Sequence, residues 1–306
     1  MTQSWYNKHR PTTFKGVYGQ SDAIRVLTDA VKRKAIPHAI LLTGPSGCGK
    51  TTCARILKDK LGCGDMDFVE LNCADFRGID TARDISRTMS LSPMSGPCRV
   101  FILDEVHQAS KDMQSAMLKV LEDTPKHVYF FLCTTDPQKI LKTIVTRCTE
   151  VRLNGIPENT LQELVQSVAD AEKVKISTEL RDKIAEVADG SARKAIVLLE
   201  QVSGIEDEQE QLDSVQKSNS NKQAIDLCRA IMKHGAKWQE VRSILKDVIE
   251  EPESIRRMIL SYASSMLLNK DDKKAYLVLT CFEGHFYDSG RAGLIRACYE
   301  VFSHKE

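Results

Sequence analysis

The sequence predicts an α/β protein: a three-layer domain with a largely parallel sheet, then a small helical domain, then an all-α C-terminal domain. Three observations lead there. Short apolar runs alternate with helix-period segments from about residue 39 to about residue 153, the pattern of parallel strands joined by crossover helices. A glycine-rich stretch, Gly44-Pro45-Ser46-Gly47-Cys48-Gly49-Lys50-Thr51, stands between the first apolar run and the helical pattern after it, so it reads as strand, phosphate loop, helix. Beyond Pro157 only helical periodicity remains.

Taken in order, residues 5–20 are broken by Pro11 and Gly16 and are too short for an independent unit, so they form an arm. A helix follows over Ala23–Arg33, with Ser21 or Asp22 as cap and Ile24, Leu27 and Val31 on its buried face. The first strand is Ala39-Ile40-Leu41-Leu42, and the helix after the glycine-rich loop runs from Thr52 to Leu61. Phe68–Asn72 is a second strand, Ile79–Met89 a helix and Arg99–Glu105 a third strand. Lys111–Asp123 is the next helix, capped by Ser110, with Met113, Ala116, Met117, Val120 and Leu121 forming an i, i+3, i+4, i+7, i+8 stripe. Tyr129–Cys133 is a fourth strand and Thr149–Leu153 a fifth. Helices are expected over 158–173, 178–188 and 192–202, the last capped by Ser191. Residues 204–221 have the polar, partly acidic composition of a linker or an exposed helix end. From Lys222 onward the pattern is helical, with Ile225, Leu227, Ile231, Leu245, Val248, Ile259, Leu267, Leu277, Leu294 and Val301 among its apolar positions. The expected domains are therefore 1–154, 155–204 and 205–306.

Composition narrows the class. A chain of 306 residues exceeds what one hydrophobic core usually organises. With 42% hydrophobic and 28% charged residues and no apolar run near 18 residues, it is an ordinary globular mixture without an expected membrane span. The first ten residues lack an apolar signal core, so a cytoplasmic location is expected. Ten cysteines are scattered with no Cys-x-x-Cys pair, which suits reduced thiols and no zinc site. A net charge of +1 does not by itself point to nucleic acid, so local clustering must decide.

The chemistry is carried by a few positions. The glycines let backbone N–H groups curl around phosphates, Lys50 can reach the outer phosphates, and the Thr51 hydroxyl can hold Mg²⁺. The alternative is a glycine-rich turn with no nucleotide. The third strand ends in paired carboxylates, where Asp104 can orient Mg²⁺ or its waters and Glu105 can activate an attacking water; alone, such a pair equally reads as a solvated strand end. The fourth strand runs into Cys133-Thr134-Thr135-Asp136, where Thr135 is either a phosphate sensor or part of a plain strand-to-turn exit. Arg147 is either a surface salt-bridge residue or an arginine finger, and Arg193 either a first-turn surface charge or a link to nucleotide.

With these residues assembled, the sequence resembles the AAA+ ATPases, and within them the ATPase subunits of sliding-clamp loaders, both the bacterial gamma/tau subunit and the replication factor C small subunits. The stretches that carry the resemblance are Lys8–Gln20, the phosphate loop, Leu103–His107, Thr134–Lys139, Thr146-Arg147-Cys148 and Gly190–Ala195. The resemblance implies an AAA+ P-loop core, a helical lid and a C-terminal collar. It implies ATP and Mg²⁺ as cofactors and ATP hydrolysis coupled to opening and loading of a clamp. The arm from Tyr6 to Tyr18, with His9, Arg10 and Val17, would enclose adenine. Gly47, Cys48, Gly49, Lys50, Thr51 and Thr52 would hold the phosphates. Arg193 would be the lid sensor, and Arg147 would reach a neighbouring subunit's ATP. The implied partners are a sliding clamp, copies of this chain and a distinct subunit in a five-membered ring, and primer-template DNA.

In the family the helices that carry Arg83, Arg87 and Lys111 line a surface tracking the duplex. Arg77 and Lys119 extend the basic set, while Asp80 and Asp84 beside Arg83 and Arg87 allow a solvated, paired face instead. Gln114 resembles the family's polar coupler between DNA and ATP sites, against the alternative of a solvated glutamine. Three departures are visible: Thr146 where relatives usually carry Ser, Thr135 of the bacterial gamma type where many relatives carry Asn, and no zinc module between Cys63 and Asp67. The last suits a compact version of the subunit, such as a viral one in a host cytoplasm. The competing readings are a non-hydrolysing stator or scaffold subunit and a hexameric AAA+ helicase or remodeller.

Overall fold

The computed structural model describes residues 4–303 apart from 77, 234, 249–250, 270–271 and 287–288, with only the backbone of 217–223 and 247. Arg77 therefore lies outside the described residues. The chain forms two compact units, Met1–Glu208 and Gln209–Glu306.

The first unit is built on five parallel strands, β1 (Ala39–Thr43), β2 (Phe68–Asn72), β3 (Arg99–Asp104), β4 (Val128–Thr134) and β5 (Thr149–Arg152), in the order β2-β3-β4-β1-β5. Its helices are α1 (Trp5–Lys8), α2 (Ser21–Lys32), α3 (Lys50–Lys60), α4 (Ile79–Met89), α5 (Lys111–Glu122), α6 (Lys142–Val145), α7 (Glu158–Glu172), α8 (Thr178–Ala188) and α9 (Ala192–Val202). Side chains alternate across a strand, so the apolar run of β3 supplies two cores. Val100 and Ile102 join Leu27, Ile56 and Leu57 of α2 and α3, while Phe101 and Leu103 join Ile85, Met113 and Met117 of α4 and α5. Burial on both faces explains why these strands read as continuous apolar runs. Because β4 lies between β3 and β1, the carboxyl ends of those three strands come together, where ligands bind in open α/β sheets.

The expected caps are present at α5 and α9. Ser110 Oγ accepts the Met113 N–H at 3.1 Å, and Ser191 Oγ accepts the Lys194 N–H at 3.3 Å. At α2 the expectation is corrected: the helix begins at Ser21, and the residue before it, Gln20, makes no side-chain cap. Its amide is committed elsewhere, as described below. The short passage from Cys63 to β2 is closed by a buried carboxylate: Asp67 accepts the backbone N–H groups of Ser95 and Met94, the Ser95 hydroxyl and the Arg99 guanidinium. Those donors hold its carboxyl well below the usual range.

The second unit contains α10 (Glu208–Met232), α11 (Trp238–Asp247), α12 (Pro252–Asn269), α13 (Lys273–Cys281) and α14 (Gly290–Ser303). Its core includes Leu227, Ile231, Ile259, Phe282 and Leu294. Of the two readings of this stretch, linker or helix end, residues 208–221 take the helical one, because Glu, Gln and Leu are good helix formers and Gln211 and Val215 are buried. Ile225, one of the apolar positions of the pattern, is 41% exposed. Among the described residues no helix is long and apolar enough to cross a membrane.

Candidate nucleotide-binding site

The site starts where β1 ends. The loop from Gly44 turns into α3 through Gly49, whose φ of +107° suits glycine at this helix start. Gly47, at φ +74°, lies so close to α9 that a Cβ there would stand 2.0 Å from Ser191 Oγ. The phosphate loop and the first turn of the third lid helix are thus in contact through a missing side chain.

Lys50 opens α3 and is buried; its Nζ donates to the loop's own carbonyls, Gly44 at 2.9 Å and Pro45 at 2.8 Å. Next to it, the Thr51 hydroxyl donates to Asp104 Oδ2 at 2.7 Å. Asp104 Oδ1 accepts the Glu105 N–H at 3.0 Å. Glu105 takes a left-handed conformation at φ +50°, ψ 43°, a geometry that a non-glycine residue adopts only where its surroundings impose it. The turn carries its carboxylate off the strand axis, where the Thr135 hydroxyl donates to Oε2 at 3.3 Å. Thr135 at the β4 exit therefore contacts the Glu105 carboxylate in place of a plain turn.

The arm closes the other side. The Trp5 N–H donates to Glu200 of α9 at 3.2 Å, and Lys8 and His9 both bond Glu172 of α7. Arg193 lies 5.6 Å from the Tyr6 ring. Burial, then the neighbouring cations Arg55 and Arg193, lower the pKa of Arg10, while Glu70 clasps Arg55 through two bonds of 2.8 and 2.7 Å. Such a concentration of guanidinium charge favours an anionic ligand.

Together these elements line one cavity of about 140 Å³ that opens to solvent. The arm lines it with Tyr6, His9, Arg10, Val17 and Tyr18, and α9 with Arg193. The loop lines it with Gly47, Cys48, Gly49, Lys50, Thr51 and Thr52, and β3 with Asp104 and Glu105. The residues fit nucleotide and magnesium: the loop presents Gly47, Gly49 and buried Lys50 to the cavity, and Thr51 and Asp104 pair a hydroxyl and a carboxylate, the hard oxygen donors Mg²⁺ takes. Cys48 lines the cavity too, but burial pushes its thiol up, and burial pushes that of Cys53 up to about 12, so both stay protonated and unreactive near neutrality.

Other expected positions lie outside this cavity. Arg147 bonds Glu122 through its guanidinium and donates to the Thr143 carbonyl at 2.8 Å. Arg83 and Arg87 are exposed and pair with Asp80 and Asp84 at 2.8 and 3.4 Å, and Lys111 is exposed. Gln114 corrects the solvated alternative: it is buried, its amide donates to Ala109 and Lys139 carbonyls at 3.2 and 3.4 Å, and its oxygen accepts the Leu141 N–H at 2.9 Å. It joins the segment after Glu105 to the segment after Thr135.

Several lining residues were not among those expected, notably Ile156, Leu164 and Ile196. Gln20 was also missed. Buried beneath the loop, its amide donates to the carbonyls of Asn154 at 2.7 Å and Cys48 at 3.3 Å, and its oxygen accepts the Asn154 N–H at 3.0 Å. Periodicity assigns no task to an isolated glutamine; its position between Gly19 and a helix start was the available signal. Replacing Gln20 with alanine strands these backbone groups and should cost about 1–3 kcal/mol of stability, read from urea unfolding.

The fold and this cavity define a P-loop nucleotide-binding protein of the AAA+ class. Residues 67–157 match the family model described as DNA polymerase III, delta subunit, and residues 17–79 match the Sigma-54 interaction domain. The chain is 29% identical over 273 residues to DNA polymerase III subunit gamma/tau of Mycoplasma genitalium, covering 82% of this chain and 44% of that protein. It is 33% identical over 220 residues to DNA polymerase III subunit tau of Bacillus subtilis, covering 65% of this chain and 39% of that protein. The chain thus spans less than half the length of these relatives. Among solved structures, the Thermotoga maritima RuvB Holliday junction branch migration motor shares the fold, with a TM-score of 0.58 and 21% identity over 72% of this chain and 79% of that chain. The chain is thus similar to DNA polymerase III gamma/tau subunits, the bacterial relatives that the sequence resemblance indicated.

Proposed function

We propose that this chain is an ATP-hydrolysing motor subunit of a sliding-clamp loader, in which ATP binding opens the clamp for loading at primer-template junctions and hydrolysis releases it. The observation that carries the reading is the convergence, at one cavity, of the phosphate loop, the Thr51–Asp104 pair and the Glu105–Thr135 pair. The gamma/tau relatives support it.

In this reading the arm holds the base, and the loop's N–H groups and Lys50 hold the phosphates, Lys50 exchanging its bonds to Gly44 and Pro45 for phosphate oxygens. Thr51 and Asp104 hold magnesium, which when bound neutralises charge on the phosphoryl oxygens. Glu105 orients water and accepts its proton, and Thr135 fixes the carboxylate. Arg193 ties lid to nucleotide. Arg147, placed outside its own chain's cavity, acts on the ATP of an adjoining subunit.

The functional parts are a core over 1–154, a lid over 155–204 and a collar over 205–306 that assembles the ring with copies of this chain and a distinct subunit. Arg83, Arg87 and Lys111 contact duplex phosphates, Gln114 couples that contact to the ATP site, and the complex works in the cytoplasm. Steady-state ATPase of the chain with partner subunit, clamp and primed DNA tests the proposal. Stimulation by each addition is expected; turnover indifferent to all three would refute it.

A further inference from the structure

We propose that His107 is a positioning residue for Glu105: its Nδ1–H fixes which oxygen of that carboxylate faces the reaction. The inference rests on the reading of Glu105 as the base. The left-handed turn at Glu105 leads into a short 3₁₀ turn over Val106–Gln108, which folds the His107 ring back under the carboxylate it follows. Nδ1 stands 3.3 Å from Glu105 Oε2 and 3.1 Å from Thr134 Oγ1. Thr134 is itself anchored, its hydroxyl oxygen accepting the Asp136 N–H at 3.0 Å. On the far side of the ring, the Gln108 amide nitrogen lies 3.0 Å from Nε2.

The partners assign the tautomer. An amide N–H donated to Nε2 leaves the ring hydrogen on Nδ1, between Thr134 Oγ1 and the Glu105 carboxylate. Bonded at both nitrogens, with a side chain only 8% exposed, the ring cannot swing away without giving up both contacts. Glu105 Oε2 therefore receives the Thr135 hydroxyl and has beside it, at 3.3 Å, the Nδ1–H that His107 shares with Thr134 Oγ1, while Oε1 has no hydrogen-bond partner among the described residues. One donor and one N–H contact on the same oxygen leave the other to take a proton from water. Thr135 supplies one restraint from the end of β4; His107 supplies the other from the turn that carries Glu105 itself. Since His107 does not line the cavity, it acts on turnover and not on nucleotide affinity.

Displacing a reacting group by about 1 Å costs on the order of 10²-fold in rate. His107→Phe, which keeps the ring volume and removes the donor, should lower kcat about 10- to 100-fold with KM and nucleotide affinity unchanged. His107→Asn, which restores a side-chain N–H near the position of Nδ1, should recover most of that loss. The measurement is steady-state ATPase of the full chain in its complex with partner subunit, clamp and primed DNA, beside titration with a fluorescent ATP analogue. Glu105→Gln is run in parallel, alone and combined with His107→Phe. The combination should be no slower than Glu105→Gln alone, because His107 works only through that carboxylate. Should Glu105→Gln abolish turnover while His107→Phe stays within about twofold of the parent, the inference is overturned and the base assignment stands. Asn no better than Phe, or additive losses in the double variant, overturns it as well. Turnover persisting in Glu105→Gln instead defeats the base assignment.

Discussion

Replacing Arg147 with alanine should lower ATP turnover of the assembled complex about 10³- to 10⁵-fold while each subunit still binds nucleotide, because an arginine finger stabilises charge that develops only in the transition state. The structure gives this residue no place in its own chain's cavity. It sits between α6 and β5, bonded to Glu122 and to the Thr143 carbonyl. A side chain 34% exposed in a pair with a half-exposed glutamate is weakly held, as surface ion pairs contribute about 0–1 kcal/mol. Releasing it toward a neighbour is therefore inexpensive, and losing it should leave the fold intact. Lysine should not replace it, since an ammonium lacks the planar two-pronged donor geometry. Turnover of the Arg147→Ala and Arg147→Lys complexes beside their nucleotide affinity and melting temperature checks these statements.

The second large effect is expected at Glu105. Glutamine in its place keeps the size and can still receive the Thr135 hydroxyl, but it accepts no proton, so kcat should fall about 10²- to 10⁴-fold with nucleotide retained. The same substitution separates a motor from a scaffold. A scaffold subunit would function unchanged in clamp loading, whereas a motor would hold the clamp complex in its nucleotide-bound state.

Much of this was legible beforehand because burial on both faces of a parallel sheet writes itself as uninterrupted apolar runs, as in Val100–Leu103. The phosphate loop and the Asp104-Glu105 strand end were legible because their chemistry demands particular residues at fixed spacing. Contacts between remote segments were not. Gln20 and Asn154 meet only after the sheet is assembled, and nothing local to either marks the bond. Gln114 stood out only through the resemblance, and its buried bonds to Ala109, Lys139 and Leu141 form only when the chain over 139–141 lies across it. The 208–221 stretch stayed open between two readings because polar composition marks solvation, which an exposed helix shares with a linker. His107 lay in the quoted Leu103–His107 stretch, yet its bond to Glu105 depends on a left-handed turn that a glutamate rarely makes.

The most direct test of the central claim, that ATP held by one copy is cleaved with the help of the next, uses two disabled chains. Lys50→Ala should lack nucleotide but keep Arg147; Arg147→Ala should bind nucleotide but lack the donor. Assembled separately with partner subunit, clamp and primed DNA, each should be nearly inactive, and co-assembled they should regain turnover at junctions where an intact phosphate loop meets an intact Arg147. A co-assembled mixture as silent as its components, or an Arg147→Ala complex working at the parent rate, would contradict the account.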